Sequence, residues 1–278
     1  MMFNEQNVII TGGSSGIGLA IARQFGRLGA RLHLLARDPE RLQAARCSLL
    51  GELGTDASIR TCSVDVADQP AVSAAIRNIS DSGGLVALVC NAGILRVGRL
   101  DELPLEDFEA VLRTNYLGTL HAILAAWPYL KAAGQARLGL VSSVAGYTGI
   151  YGYAAYAPTK FAMTGLAECL RMEGRPSGIR VTVVFPPDTE TPMLEYERAH
   201  APAETRAVSA GASQLSAAAV AEKFVAGMVR GDFEVYCNVE SRLIRLFKTL
   251  LPGGYYRLLD RLGGKPGREA RHLASRGR

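Results

Sequence analysis

Apolar positions along this chain follow two periods in turn. Short, nearly continuous apolar runs alternate with longer stretches in which apolar residues return every three to four positions, the first marking buried strands and the second amphipathic helices. The runs predict strands at Asn7–Ile10, Arg31–Ala36, Ser58–Val64, Leu85–Cys90, Ala136–Ser143, Gly178–Val184 and Phe233–Cys237. The helical period predicts helices over Leu19–Leu28, 39–53, 68–82, Glu106–Leu130, Ala154–Glu173 and 216–230. Strand and helix alternating in this way predict an α/β fold, a doubly wound parallel sheet of about seven strands covered on both faces.

The pattern changes after residue 240. Over Ser241–Leu251 one stripe carries Leu243, Ile244, Phe247, Leu250 and Leu251, with Arg242, Arg245 and Lys248 on the other side. Pro252–Gly254 predicts a break, Tyr255–Leu262 resumes the pattern, and 263–278 reads as a disordered basic tail. The expected organisation is a body over 1–240, a basic amphipathic helical extension over 241–262, and the tail. Such an extension suits an anionic bilayer surface. It equally suits a helix that packs on the body, covers a pocket or joins a subunit interface.

Charge follows the same division. The net charge is +5, but from Ser241 onward ten Lys/Arg face two Asp/Glu, leaving the first 240 residues at −3. A mildly acidic body argues against nucleic acid as a partner. The 278 residues, 48% of them hydrophobic, suffice for one sizeable core. The start, Met1–Gln6, lacks the basic opening of a signal peptide, and no apolar run approaches membrane-spanning length. Five scattered cysteines (Cys47, Cys62, Cys90, Cys169 and Cys237) and four isolated histidines show no metal-ligand spacing. No metal is expected, and reduced thiols suit a cytoplasmic protein.

Two short stretches carry chemistry. Thr11–Gly18 (Thr-Gly-Gly-Ser-Ser-Gly-Ile-Gly) stands between the first strand and the first helix. Strand, glycine-rich turn and helix together form a phosphate cradle, because glycine lets the backbone approach a pyrophosphate and the helix start offers free amides. The second strand ends on Ala36 followed by Arg37, where a dinucleotide fold usually carries the carboxylate that binds an unphosphorylated ribose. A guanidinium there pairs with a 2′-phosphate, with Ser14 and Ser15 as further donors, so NADPH is expected over NADH. The plainer reading of Arg37 is a surface residue opening a turn. The second stretch is Tyr156–Lys160, with Ser143 thirteen residues upstream at the end of a predicted strand. Four-residue spacing on a helix puts phenol and ammonium one turn apart, where the cation favours phenolate and draws the tyrosine pKa toward working pH. Taken alone, that spacing is common in helices that do no chemistry.

Together these motifs resemble the short-chain dehydrogenase/reductase family over about residues 5–240. Gly12, Gly16 and Gly18 match its glycine turn, with Ile17 inside it, and Ser143, Tyr156 and Lys160 match its catalytic set. The resemblance implies that Asn115 is the fourth catalytic residue, holding a water for proton relay. It implies that Asp65 and Val66 lie near the adenine, Asn91, Ala92 and Gly93 at the adenosine ribose, and Pro186, Thr189 and Thr191 near the nicotinamide. One departure is Pro187, where most of the family has glycine.

The loop Phe185–Met193 also resembles that of the 3-ketodihydrosphingosine reductases, as do Leu35–Leu42, Tyr151–Ala162, Glu204–Arg206 and Val229–Phe233. That resemblance implies NADPH-dependent reduction of a long-chain sphingoid 3-ketone at the cytoplasmic face of a membrane. The alternatives are reduction of another hydrophobic ketone or alcohol, such as a steroid, retinoid or 3-oxoacyl chain, and a noncatalytic NADPH-binding regulator. Family habit implies a homodimer or homotetramer through the helices at 106–130 and 154–173.

Overall fold

The structure, a computed structural model, describes residues 2–209 and 213–262. The predicted disordered tail, 263–278, lies outside the described residues. In chain order the elements are β1 (Asn7–Thr11), α1 (Gly16–Arg27), β2 (Arg31–Ala36), α2 (Pro39–Leu53), β3 (Ile59–Ser63), α3 (Gln69–Asp81) and β4 (Ala87–Cys90). Next come α4 (Leu105–Val111), a π-helical turn (Leu112–Leu117), α5 (Gly118–Ala132), β5 (Ala136–Val141), α6 (Ala157–Gly174) and β6 (Ile179–Phe185). The chain then forms β7 (Thr189–Glu190), α7 (Pro192–His200), α8 (Ala203–Ser209), β8 (Leu215–Ser216), α9 (Ala217–Arg230), β9 (Glu234–Tyr236), α10 (Val239–Leu250) and α11 (Pro252–Leu262).

Seven strands pair in the order β3-β2-β1-β4-β5-β6-β9, every pairing parallel. Side chains alternate across this sheet into two apolar layers. Val8 and Ile10 of β1 join Phe25 of α1, Leu42 and Leu49 of α2, and Phe224 of α9 on one face. Ile9 joins Ile76 of α3, Ile123 of α5 and Met163 of α6 on the other. Because both faces are buried, the central strands read as continuous apolar runs. The order reverses at β1, whose neighbours β2 and β4 are reached by crossovers in opposite directions. This leaves a crevice beyond the carboxyl ends of β1 and β4.

The structure corrects several expected boundaries. The helix expected over 106–130 is interrupted at Leu112–Leu117 by a π-turn, which widens the backbone ring at Asn115. The helix expected from Ala154 starts at Ala157, after two tight turns in which Tyr156 N and Ala157 N donate to Tyr153 O. Pro252 does not prolong a break. It occupies the first turn of α11, where its missing N–H goes unneeded, and the chain turns at Leu251 alone.

One buried titratable group bears on stability. His33 of β2 is 5% exposed, and its Nε2 lies 3.0 Å from Asn7 Oδ1. Burial, then the charges of Arg60 and Arg31, lower its pKa from 6.5 to about 4. The folded chain therefore refuses a proton that the unfolded chain accepts below pH 6.5, so stability is full above that value and declines as pH falls toward 4. Urea denaturation should show a loss of about 2 kcal/mol between pH 7 and pH 5 from this residue. His33→Gln should remove that part of the acid loss; an unaltered acid limb in the variant would contradict it.

Candidate active site

The crevice begins at Thr11. Its Oγ1 lies 3.3 Å from Val89 O as donor, and accepts from the amides of Asn91 and Ala92 at 3.0 and 3.1 Å. Asn91 Nδ2 donates back to Thr11 O and Gly12 O at 3.1 and 3.0 Å. Asn91 thus ties the glycine turn to β4, and its neighbours Ala92 and Gly93 line the cavity beside it. Gly12 has φ +66, and a Cβ there would sit 2.8 Å from Ala92 Cα. A Cβ on Gly18 would sit 2.2 Å from Gly12 O, so Gly18 lets α1 start close beneath the turn and does not itself line the cavity. Ser15 caps α1 with its backbone only, its hydroxyl makes no capping bond, and the first turn carries no acidic side chain. An open helix start above a glycine cradle fits the pyrophosphate of a dinucleotide.

Ser14, Gly16, Ile17, Asp65 and Val66 line the same cavity, which holds about 800 Å³. Arg37 stands on its rim, 61% exposed, with Nη1 4.0 Å from Asp65 Oδ2. Arg41, on the first turn of α2, lines the rim as well and was not singled out from the sequence. The signal was its spacing of four from Arg37. Asp38 lies between them, accepting from the amides of Glu40 and Arg41 at 3.0 Å each.

Ser143, Tyr156 and Lys160 converge on the opposite wall. Ser143 caps the short 3-10 turn Val144–Gly146, its Oγ accepting from Ala145 N at 3.1 Å. Lys160 is 3% exposed and donates to Val141 O at 2.9 Å, its Nζ 5.5 Å from the centre of the Tyr156 ring. The expectation that Lys160 draws the phenol pKa down does not hold for this chain alone. Burial raises Tyr156 above its ordinary 10.0, the Ser143 hydroxyl opposes that rise, Glu197 adds to it, and Lys160 is not among the groups that shift it. Burial instead acts on Lys160 itself, lowering its pKa to about 8.

Asn115 lies fully buried in the π-turn behind Gly93. Its Oδ1 accepts from Ile94 N at 2.8 Å, and its Nδ2 donates to Ile94 O at 3.0 Å and to Thr159 Oγ1 at 3.2 Å. A Cβ on Gly93 would lie 3.2 Å from Asn115 Oδ1 and 3.8 Å from Lys160 Nζ, so both side chains back the same piece of wall. On the loop after β6, Val144 N donates to Pro186 O at 3.0 Å and Thr189 Oγ1 to Pro187 O at 2.7 Å. Thr191 Oγ1 donates to Thr189 O at 3.0 Å and caps α7 through Leu194 N. Pro186, Thr189 and Thr191 all line the cavity.

The short chain dehydrogenase family pattern matches residues 6–202. The chain belongs to this family. It is 40% identical over 248 residues to a 3-dehydrosphinganine reductase of Arabidopsis thaliana, a match covering 88% of this chain and 74% of that one. It is 37% identical over 230 residues to the 3-ketodihydrosphingosine reductase of Bos taurus, covering 82% and 69%. Among solved structures, levodione reductase aligns with a TM-score of 0.77 at 25% identity, over 84% of this chain and 96% of that one.

Beyond Tyr156 this family member's cavity runs under the two C-terminal helices, where Ile244, Phe247, Tyr255 and Leu259 form part of its lining. The helices are latched to the body. Tyr147 OH donates to Ser241 O at 2.7 Å, Lys248 Nζ donates to Tyr147 O at 2.6 Å, and the hydroxyls of Thr148 and Tyr255 meet. Sequence alone left this placement among several, and it mistook the faces. Arg245 and Lys248 pack inward against aromatic rings, Arg245 over Tyr147 and Lys248 over Phe161 and Tyr255. The exposed stripe is Val239, Leu243, Leu246 and Leu250. Tyr153, Asp188 and Glu197 also line the cavity, and no spacing in the sequence marked Asp188 or Glu197 for this site. Among the described residues no group of three or more His, Cys, Asp or Glu is placed to hold a metal, and no helix is long and apolar enough to cross a membrane.

Proposed function

We propose that this chain reduces the 3-keto group of a long-chain sphingoid base to the alcohol, using NADPH. One observation carries the reading: the Ser143–Tyr156–Lys160 wall and the apolar underside of the C-terminal helices enclose a single cavity, in a chain 40% identical to a 3-dehydrosphinganine reductase. A reacting ketone and a long hydrocarbon chain have room side by side only in such a space.

When bound, the nicotinamide cofactor supplies the hydride to the carbonyl carbon. Ser143 and Tyr156 hold the carbonyl oxygen, and Tyr156 gives its proton to that oxygen as negative charge develops there. Lys160 holds the nicotinamide ribose, and Asn115 keeps the wall behind it in place. Gly12, Ser14, Ser15, Gly16 and Ile17 seat the pyrophosphate, with Asp65, Val66 and the stretch Asn91–Gly93 around the adenosine. The second strand ends on Ala36 rather than on a carboxylate, and Arg37 and Arg41 stand on the rim beyond it, which supports a phosphorylated ribose.

The exposed stripe on α10, spaced four, three and four residues apart, supports peripheral seating on a bilayer, with exposed Arg242 and Arg257 nearby for anionic headgroups. Exposed Leu112, Leu124 and Met172 on the helices at 112–132 and 157–174 support self-association there as a dimer or tetramer.

Purified protein should oxidise NADPH with 3-dehydrosphinganine in detergent micelles, and Tyr156→Phe should lower kcat about 1000-fold while cofactor fluorescence titration still shows binding. Wild-type turnover in the variant would remove Tyr156 from the mechanism. Replacing Arg37 and Arg41 together by Ala should narrow the NADPH-over-NADH ratio of kcat/KM about 30-fold; an unchanged ratio would place selectivity elsewhere. In flotation assays the protein should rise with vesicles containing anionic lipid, and the pair Leu243→Asp and Leu246→Asp should abolish that, whereas equal flotation of the variant would exclude this face.

A further inference from the structure

We propose that Glu197, with Asp188 beside it, receives the amino group of the substrate and so makes the site selective for ketones that carry an amine on the adjacent carbon. This rests on the reduction proposed above and names the chemistry by which that substrate is recognised. A sphingoid 3-ketone is a base, with an amine on the carbon next to the carbonyl that takes a proton near neutral pH. Holding the carbonyl oxygen at Ser143 and Tyr156 brings that positive charge within three bonds of the oxygen, inside a largely apolar cavity. Something on the wall must face it.

Glu197 is placed for this. It lies on α7, is 7% exposed, and lines the same cavity as Tyr156. Tyr153 joins the two. Its ring meets that of Tyr156 edge-on with centres 5.5 Å apart, and after burial the Glu197 carboxylate is what raises its phenol pKa most. Asp188 reaches the same space from the loop after β6. Among the described residues neither carboxylate forms an ion pair. The cation whose charge reaches both, Arg198, donates instead to Gln214 at 2.7 Å.

A buried carboxylate and a half-buried one on the same cavity wall, neither in an ion pair among the described residues, are costly to keep. Burial raises the pKa of both; Asp188 further raises Glu197, Glu240 further raises Asp188, and the Glu197 charge also raises Tyr156. A single ammonium ion seated between the carboxylates and the phenol answers all of this. It offsets the repulsion, and it cancels the negative field that adds to burial in making Tyr156 reluctant to release its proton. Recognition and proton transfer are thereby coupled, and a ketone without the amine leaves the carboxylates unpaired. The competing role for Glu197 is structural, as an anchor that keeps Tyr153 and α7 in place.

The test compares kcat/KM for 3-dehydrosphinganine and for 1-hydroxyoctadecan-3-one, which has the same chain and carbonyl but no amine, in identical micelles with NADPH. Wild type should favour the amine about 100-fold, as a site built around a buried polar partner rejects the analogue lacking it. Glu197→Gln should shrink that ratio to below about 10-fold, and Asp188→Asn should shrink it less. A wild-type ratio near one overturns the proposal, as does a Glu197→Gln protein that keeps the full ratio, the result a purely structural anchor gives. Should Glu197→Gln fail to fold, the wild-type ratio decides. Turnover of neither ketone would overturn the proposed reaction and this inference with it.

Discussion

The hydrogen bonds between Thr11 and Asn91 are the constraint on which the site depends. They close the carboxyl ends of β1 and β4 against each other where the sheet order reverses, and they do so with side-chain groups because the strands stop pairing there. Asn91 then holds the glycine turn from behind, and the turn fixes where α1 starts. The close approach of Gly18 to the Gly12 carbonyl leaves that turn little freedom. A pyrophosphate cradle needs amides in fixed directions, and here they are fixed by a junction in the sheet rather than by the loop itself.

On the far side of the cavity the economy is one of buried charge. Lys160 keeps an ammonium group out of water against a single backbone carbonyl, and burial lowers its pKa to about 8. Glu197 is buried there and Asp188 half-buried, neither in an ion pair among the described residues. Such groups weaken a fold by desolvation, and their retention around one tyrosine marks a place arranged for a ligand's charges rather than for stability. The π-turn at Leu112–Leu117 belongs to the same arrangement, since it brings Asn115 against Ile94 and Thr159 behind the wall that carries Lys160.

The C-terminal helices connect this chemistry to the surface. Their inner side completes the cavity, their latches to Tyr147 and Thr148 are few, and their outer side is apolar. A roof held by a handful of hydrogen bonds opens at lower cost than the parallel sheet beneath it, so passage of a long-chain ligand is expected at this edge.

The seven strands of a parallel sheet and the glycine turn were readable from the chain, because each depends on local period or on residues adjacent in sequence. The placing of Ser143, Tyr156 and Lys160 on one wall followed from the same short spacings. Arg41 was within reach of that reasoning, four residues from Arg37. Asp188 and Glu197 were not, because what marks them is burial and the absence of a counter-charge, both properties of surroundings assembled from distant segments. The same holds for the phenol, whose spacing from Lys160 points to a lowered pKa while the burial around Tyr156 raises it. The tail shows the division most plainly: its amphipathic period fixed that it would be helical, but aromatic rings on the body drew Arg245 and Lys248 inward beside Ile244 and Phe247, and Leu243 and Leu250 of the expected stripe face outward with Leu246.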